Sequence, residues 1–572
     1  MDALVLVNSR SPAFREAREL VLPMLSHLGV PGHILDLARS PLPPRLSVYA
    51  LVIAAHSRLG AGRPLREAVL RSVHRGAGLV SFDPRFPLSG ETSPRRKGGR
   101  PGIELAGRHW ITSDRSARET APLAGPFRCP PLPVERGETL IRLDGRPLLA
   151  ARDFGNGRMA RWASAGWLRP SILGPLGGLD GAFWKCLAWA ARKPFAFRGL
   201  PPLVSMRVDD VAGQGGLFGR SPLYWAETAA RHGFKPWLGL FIYNLSPRIH
   251  RQVRELVSSG RATAFPHAFG RPPWMKPGLD FWYPHGIPTS DSGHDEFIYY
   301  DHDSGRPWPE AEEKRRLRAV RDWYAAHPSL PISPLAIPHY YEMGINAADF
   351  VSRRWGAEFT SLPKIPESPM VDGTPWLRGG PFRRYGKPGT AAFDPALLGT
   401  RPAYYADFIR IGGRRLFNCL TEIRDVAGYE WSPDNDVAAS AERGLRILNR
   451  ALDSMAPAVL LTHETDHIWK IRPNNWEKTL RRLTCGLRKR PFRMATLEEA
   501  ARFVRATRTS RLASCRYEPG RREVTARLAG RADTATTFCL FTGAGGSVHM
   551  ELVEIPPFRN GALIRRFLPR AS

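Results

Sequence analysis

"LLTHETDHI", residues 460–468, holds His463, Glu464 and His467 in the order H-E-x-x-H. On a helix that spacing stacks two histidines around a zinc ion, with the glutamate as the base of a metalloprotease. On a strand the same letters mean something else, because successive side chains point to opposite faces. The run that precedes His463, "PAVLL", is apolar and strand-like, and no Gly-x-x-His follows His467. Pro457 and Pro473 bound the segment without excluding a helix. The strand is the expectation, with His463 at its C-terminal end, Glu464 turned another way and His467 outside any metal shell.

A second acidic stretch competes for the chemistry. "SMRVDDVAG", 205–213, sets Asp209 and Asp210 at the end of an apolar run. Where a strand ends in a turn, one carboxylate can ligate a metal while its neighbour stays free as a base. The plain alternative is a turn or a helix cap, for which Asp is common. The following "GQGGLFG" lacks the Gly-x-Gly at the strand exit that a dinucleotide fingerprint needs. Three histidines follow at strand-like ends or in nearby loops: His267 in "ATAFPHAFG", His302 in "YYDHDSGRPWPE" and His339 in "SPLAIPHYY". Each alone reads as a structural residue; downstream of an Asp pair they read together as metal-competent.

Around these motifs the chain divides into three. Residues 1–197 alternate apolar strand-like runs ("ALVLV", "VYALVIAA") with helical periodicity, as in "SPAFREARELVLPMLSHLG". The pattern is that of an α/β, doubly wound domain like flavodoxins or glutamine amidotransferases. "AAHSRLG" offers no cysteine nucleophile, so this domain is expected to be non-catalytic. Residues 198–508 alternate again, with polar side chains closing several strands, which is how a (β/α) barrel assembles a site. Residues 509–572 show short alternating stretches without a helix, read as a small all-β, sandwich-like module.

In order and type these elements resemble the polysaccharide deacetylases of the NodB-homology type, over about residues 203–508. "RVDDV" matches their Asp-Asp motif, His267 the first metal histidine, and His463 in "AVLLTHE" the terminal histidine motif. His302, ahead of "SGRPWPEAEEKRRLRAVRDWYAAH", matches the second histidine by its relation to the following helix. The family spaces these two histidines by a few residues, so residues 268–301 imply an inserted loop. At the third motif His339 and Tyr340 stand where the family has arginine, and Glu430 with Trp431 loosely matches its acidic-Trp motif. The separate N-terminal domain, the insert and "PHYYEMG" look most like exopolysaccharide deacetylases acting on galactosamine-containing glycans.

The resemblance implies a fold and a site. The fold is a distorted (β/α) barrel. Asp210, His267 and His302 would hold one divalent ion, expected to be zinc, with His339 the alternative third ligand. Asp209 would be the general base, and His463 the acid, kept charged by Glu430 or Asp466. Arg207, His339, Tyr340 and Trp431 are expected at the substrate, an amino-sugar glycan. Trp274, Trp282 and Tyr283 of the insert either stack on sugar rings or pack the loop. Two other readings stay open: a glycan-binding protein with a weakened barrel, and the metalloprotease.

Composition narrows the rest. The 572 residues are 43% hydrophobic with 16 Trp and 27 Phe, which is globular rather than disordered. No run reaches the roughly 18 apolar residues of a membrane span. The net charge of +30 suits anionic partners, but the basic residues are dispersed and no nucleic-acid-binding signature appears. The N-terminus opens on a strand-like run without a basic leader, so the default placement is cytoplasmic, with export left open. Six scattered cysteines show no C-x-x-C; Cys515 and Cys539 alone share a module and would pair only in an exported protein.

Overall fold

The computed structural model describes residues 1–88, 102–123, 125–134, 137–169, 171–215, 220–270, 297–301, 307–341, 343–361, 407–411, 414–419, 430–543 and 547–569. It is a mixed α/β structure. His302 and the insert aromatics Trp274, Trp282 and Tyr283 lie outside these residues.

The N-terminal unit is built on an eight-stranded sheet. Gly32–Asp36, Ala3–Val7, Leu51–Ala54, Gly78–Ser81 and Gly157–Trp162 run parallel. Arg146–Phe154, Glu138–Leu143 and Ile103–Leu105 extend it antiparallel. Ala3–Val7 and Leu51–Ala54 are buried at every position, as parallel strands covered on both faces require. The helical segment from Phe14 to Leu28 ends at Gly29, whose φ of +62° is the left-handed cap glycine tolerates. A Cβ there would lie 2.3 Å from the Arg198 Cβ, so this turn also sets how closely the next segment packs.

That next segment joins the C-terminal module. Phe195–Phe197 is a strand paired antiparallel with Thr536–Thr542 of the C-terminal module. Arg198 is buried and donates to the Thr537 carbonyl and to the hydroxyls of Ser510 and Thr536. The C-terminal module consists of two three-stranded antiparallel sheets, one of which contains Phe195–Phe197. Its core includes Ala196, Leu512, Val524, Phe538 and Leu540. Residues 195–197 thus pair with the module's sheet, while Phe197 also packs on Trp184 of the N-terminal unit. Cys515 and Cys539 are both buried thiols, not joined to each other in a disulfide.

Between these units, Leu203–Val211 is the centre of the site-bearing sheet. Pro236–Phe241 and Ala458–His463 flank it in parallel, Thr263–Ala268 pairs beyond, and Arg493–Met494 adds a short edge. All nine residues of the central strand are buried. The expected distorted (β/α) barrel is not confirmed: among the described residues no barrel closes. Leu335–Ala336, Phe359–Thr360, Arg414–Asn418 and Asp407–Ile411 form a separate four-stranded sheet. Where a closed barrel would continue its ladder, the Ser333 amide instead bonds the Ala264 carbonyl at 2.8 Å. Pro331, Pro334 and Pro338 remove donors on both sides of the two-residue strand Leu335–Ala336. Among the described residues no helix is long and apolar enough to cross a membrane.

The opening segment is a strand. Ala458–His463 pairs with the central strand in a register that sets His463 opposite Asp209, and a turn follows over 464–467. Glu464 is fully buried and points away from the pocket. Its carboxylate accepts from the amides of Ala212, Gly213 and Gln214 at 2.6, 2.8 and 3.0 Å, and from the Trp225 indole at 2.7 Å. The glutamate of the H-E-x-x-H string therefore clamps the loop that follows the central strand. Glu464→Ala would strand four donors and is expected to destabilise the protein by about 3–5 kcal/mol. Glu464→Gln, which keeps one acceptor oxygen, should lose less. Denaturant unfolding checks this; a midpoint unmoved in Glu464→Ala would contradict the clamp.

Candidate metal centre and catalytic site

Neighbouring strand residues face opposite ways, yet Asp209 and Asp210 both reach the same pocket. The central strand carries an irregularity between Val208 and Val211, where two residues oppose Gly239 alone on the adjacent strand. Asp210 there adopts φ +57°. This is a β-bulge with one residue in the left-handed region, where Asp is among the better-tolerated side chains. A second shift lies between Leu240 and Phe241, whose partners Pro266 and Ala268 skip His267. Both the acidic pair and the first histidine are thus re-aimed by bulges on adjoining strands. Gly239 sits between them, and a Cβ there would meet the His267 ring at 3.1 Å.

Three buried donor groups converge: Asp210, His267 and His339 could hold a metal ion. The Asp210 Oδ1 lies 3.7 Å from His267 Nε2 and 3.4 Å from His339 Nδ1, and the two ring nitrogens are 3.1 Å apart. Tetrahedral zinc with bonds of about 2.0 Å sets neighbouring donors about 3.3 Å apart, so the residues fit such an ion. His267 donates its Nδ1–H to the Ile337 carbonyl at 2.8 Å, which turns the Nε2 lone pair toward Asp210. Burial pushes the His267 pKa down to about 4, against the raising effect of Asp209, so the ring is neutral at neutral pH, as a ligand must be. Thr465 donates to the other Asp210 oxygen at 3.3 Å.

His339 reaches this place from an unusual backbone. It follows Pro338 at the end of the short strand, and Tyr340 and Tyr341 then both take positive φ, +51° and +62°. Two consecutive left-handed non-glycine residues are strained, a device that clusters at functional sites. Tyr340 is 51% exposed beside His339, while Tyr341 is buried. Phe241 and Phe297 pack on the His339 ring.

Asp209 is held by Arg207, two residues earlier on the same face of the strand. The Arg207 Nε donates to Oδ1 at 2.7 Å and Nη2 to Oδ2, while Nη1 reaches the Tyr341 hydroxyl at 3.1 Å. Burial alone would raise the Asp209 pKa, but Arg207, with His267 and His463 near, brings it down to about 2. Arg207, expected at the substrate, is completely buried beneath the base. Trp431, also expected there, is fully buried, its indole donating to the Ser440 carbonyl at 2.7 Å. The Trp431 amide bonds the Leu461 carbonyl at 2.9 Å, which brings Glu430 alongside the strand that carries His463.

Glu430 accepts from His463 Nδ1 through one oxygen and lies 3.2 Å from His467 Nε2 through the other. Burial would lower the His463 pKa, but the Glu430 bond and the charges of Asp210, Glu430 and Asp209 raise it to about 9. Glu430 itself is lowered to about 2, burial being outweighed by the two imidazoles. The pocket therefore sets an ionised carboxylate opposite a protonated imidazole. His463 and His467 share Glu430 rather than a helix face, so no zinc-protease helix exists here.

No protein-family profile matches the chain, and no curated protein matches it. Among solved structures, a Parabacteroides distasonis protein assigned only provisionally as a glycoside hydrolase/deacetylase is 9% identical, with 62% of this chain and 84% of that one covered and a TM-score of 0.30. Cytoplasmic protein STM3548 of Salmonella typhimurium is 13% identical over 34% of this chain and 100% of its own, TM-score 0.22. A β-galactosidase of Bacillus circulans sp. alkalophilus is 18% identical over 35% of this chain and 33% of its own, TM-score 0.20. Likenesses this low decide nothing about chemistry, which rests on the geometry above.

The His463–Glu430 pair gives a direct test on metal-free protein. The His463 imidazole should keep its second proton until about pH 9. In Glu430→Gln the largest raising contact is gone, so deprotonation should move down, toward the ordinary histidine value of about 6.5. Nitrogen-15 NMR of the ring nitrogens reads both; an unshifted titration in the variant would remove Glu430 from its role.

Proposed function

We propose that the chain is a metal-dependent hydrolase that removes N-acetyl groups from an amino-sugar polymer or glycolipid precursor. The observation that carries this is the buried Asp210–His267–His339 triangle, flanked by ionised Asp209 and, across the pocket, protonated His463. A lone acid, base or metal triad fits many reactions; this combination fits hydrolysis of an amide, which needs a water deprotonated and an amine protonated.

Asp210, His267 and His339 would hold the ion, and one oxygen with two imidazoles suits zinc. When bound, such an ion acts as a Lewis acid toward water and the acetamide carbonyl. Asp209 takes the proton of the attacking water, held in place by both arms of Arg207. The water oxygen bonds the carbonyl carbon, and the C–N bond then breaks. His463 gives its proton to the leaving nitrogen, so the products are acetate and a free amino sugar. Glu430 keeps His463 charged until that step and stabilises its orientation afterwards. Arg207 serves as a positioning residue for Asp209. Tyr340, half exposed beside His339, offers a ring face to the sugar.

Removing a ligand empties a metal site, whereas removing a base leaves it filled. Asp210→Ala, His267→Ala and His339→Ala are therefore expected to lose bound zinc and acetate release together. Asp209→Asn should retain zinc and lose about 10²–10⁴-fold in turnover. Metal analysis of purified variants, alongside acetate release from N-acetylated galactosamine or glucosamine polymers, measures both. Full zinc occupancy in His339→Ala would return the third ligand to His302.

Tyr340→Ala tests substrate contact separately. Loss of a stacking face should raise KM several-fold with kcat nearly unchanged, the pattern of uniform binding. An equal fall in kcat at constant KM would show that Tyr340 acts through His339 instead.

A further inference from the structure

We infer that a cleft between the N-terminal unit and the site-bearing unit, away from the residues of the proposed chemistry, binds a phosphate-type oxyanion. The cavity, about 610 Å³, lies against the 113–119 segment and the helices Val437–Asp453 and Pro473–Leu487. That volume is in the range of small-molecule sites. Arg115 and Arg118 enter from the first segment, Arg446 from one helix and Arg482 from the other.

These arginines are not committed to acids of their own. Arg115 donates to the Gly486 carbonyl at 3.4 Å. Arg118, Arg446 and Arg482 close no hydrogen bond or ion pair among the described residues. Glu442 stands one helical turn before Arg446, the spacing at which such pairs form, yet the two do not meet. Glu442 and Glu119 are the acids of the cavity wall, so four arginines against two glutamates leave two positive charges in excess.

A second observation comes from the cleft wall. Asn449 is 6% exposed, lines the cavity, and its Oδ1 has no hydrogen-bond partner. A buried amide oxygen left this way is costly unless something fills the space in front of it. The Nδ2 of the same side chain closes no hydrogen bond among the described residues and can donate to an oxygen of a ligand in the cavity. The excess of two charges matches a phosphate monoester or a diphosphate better than a single carboxylate, and guanidinium forks match the phosphate oxygens in geometry. The shared chemistry is the phosphate group, whether free in solution or on a lipid headgroup.

Two probes on the full chain separate those sources: sodium pyrophosphate by titration calorimetry, and co-sedimentation with phosphatidic acid vesicles against phosphatidylcholine ones. The expected result is saturable binding of one pyrophosphate per chain, weakening as salt rises. Arg446→Gln with Arg482→Gln should weaken it at least tenfold, and the exposed reversal Arg118→Glu should do the same without burying a new charge. Arg248→Gln with Arg251→Gln, on an exposed helix face elsewhere, should leave it within twofold. Vesicle binding that depends on the cleft arginines, without pyrophosphate binding, supports the site with a lipid headgroup as its ligand. If neither probe binds, or if the cleft pair and the control pair weaken binding alike, the cleft is not an anion site and the overall positive charge explains the rest.

Discussion

A strand buried on both faces has to deliver two consecutive carboxylates to one pocket, which regular strand geometry forbids. The chain meets that constraint with the bulge at Asp209 and Asp210, one residue of which turns left-handed. The neighbouring strand answers with its own shift at His267, and Gly239 between them keeps the space that a side chain would fill. Every other element of the site is arranged around this irregularity. The Glu464 clamp holds the loop that leaves it, and Thr465 in the same turn touches Asp210. The strain of the left-handed residue is offset by the contacts that fix it on both sides.

The second requirement is that charges taken out of water be matched where they lie. Arg207 matches Asp209 from below and Glu430 matches His463 from the side, whereas the donors around Glu464 offset its burial only in part and its pKa is pushed up to about 7. Each partner does more than neutralise. Arg207 keeps Asp209 ionised and fixed in orientation, and Glu430 keeps His463 protonated. Asp209 and His463 thus hold opposite protonation states in one pocket, the first lowered by Arg207 and the second raised by Glu430 and the two aspartates. Environment, not residue type, assigns the roles.

Much of this was legible in the letters. "AVLLTHE" reads as a strand ending on histidine, which is found, whereas the acidic pair of "RVDDV" lies in a bulge inside a strand that runs on to Val211. Arg207 was legible too, since a residue two places before Asp209 must share its face; reading it as a substrate ligand overlooked its burial. His339 was visible as a metal-competent histidine but not as the one that meets Asp210. Nothing local signals that Pro338 and two left-handed tyrosines will carry it inward, because that conformation is imposed by packing on Phe241 and Phe297. His302, placed by analogy with a helix start, lies outside the described residues. Trp431 followed an acidic-Trp pattern, and a pattern cannot distinguish an indole on a sugar from one filling a core.

The strand Phe195–Phe197 carries a consequence for the order in which the protein is made. Its partner strand Thr536–Thr542 lies more than 300 residues further along the chain. At roughly 5–20 residues per second a ribosome takes on the order of 20–70 s to cover that distance. Through that interval the apolar ring faces of Phe195 and Phe197 have no sheet to join, so the N-terminal unit cannot be sealed as it emerges. The last-made module is in this sense a latch. It closes a seam opened early in synthesis, the pairing of Phe195–Phe197 with Thr536–Thr542.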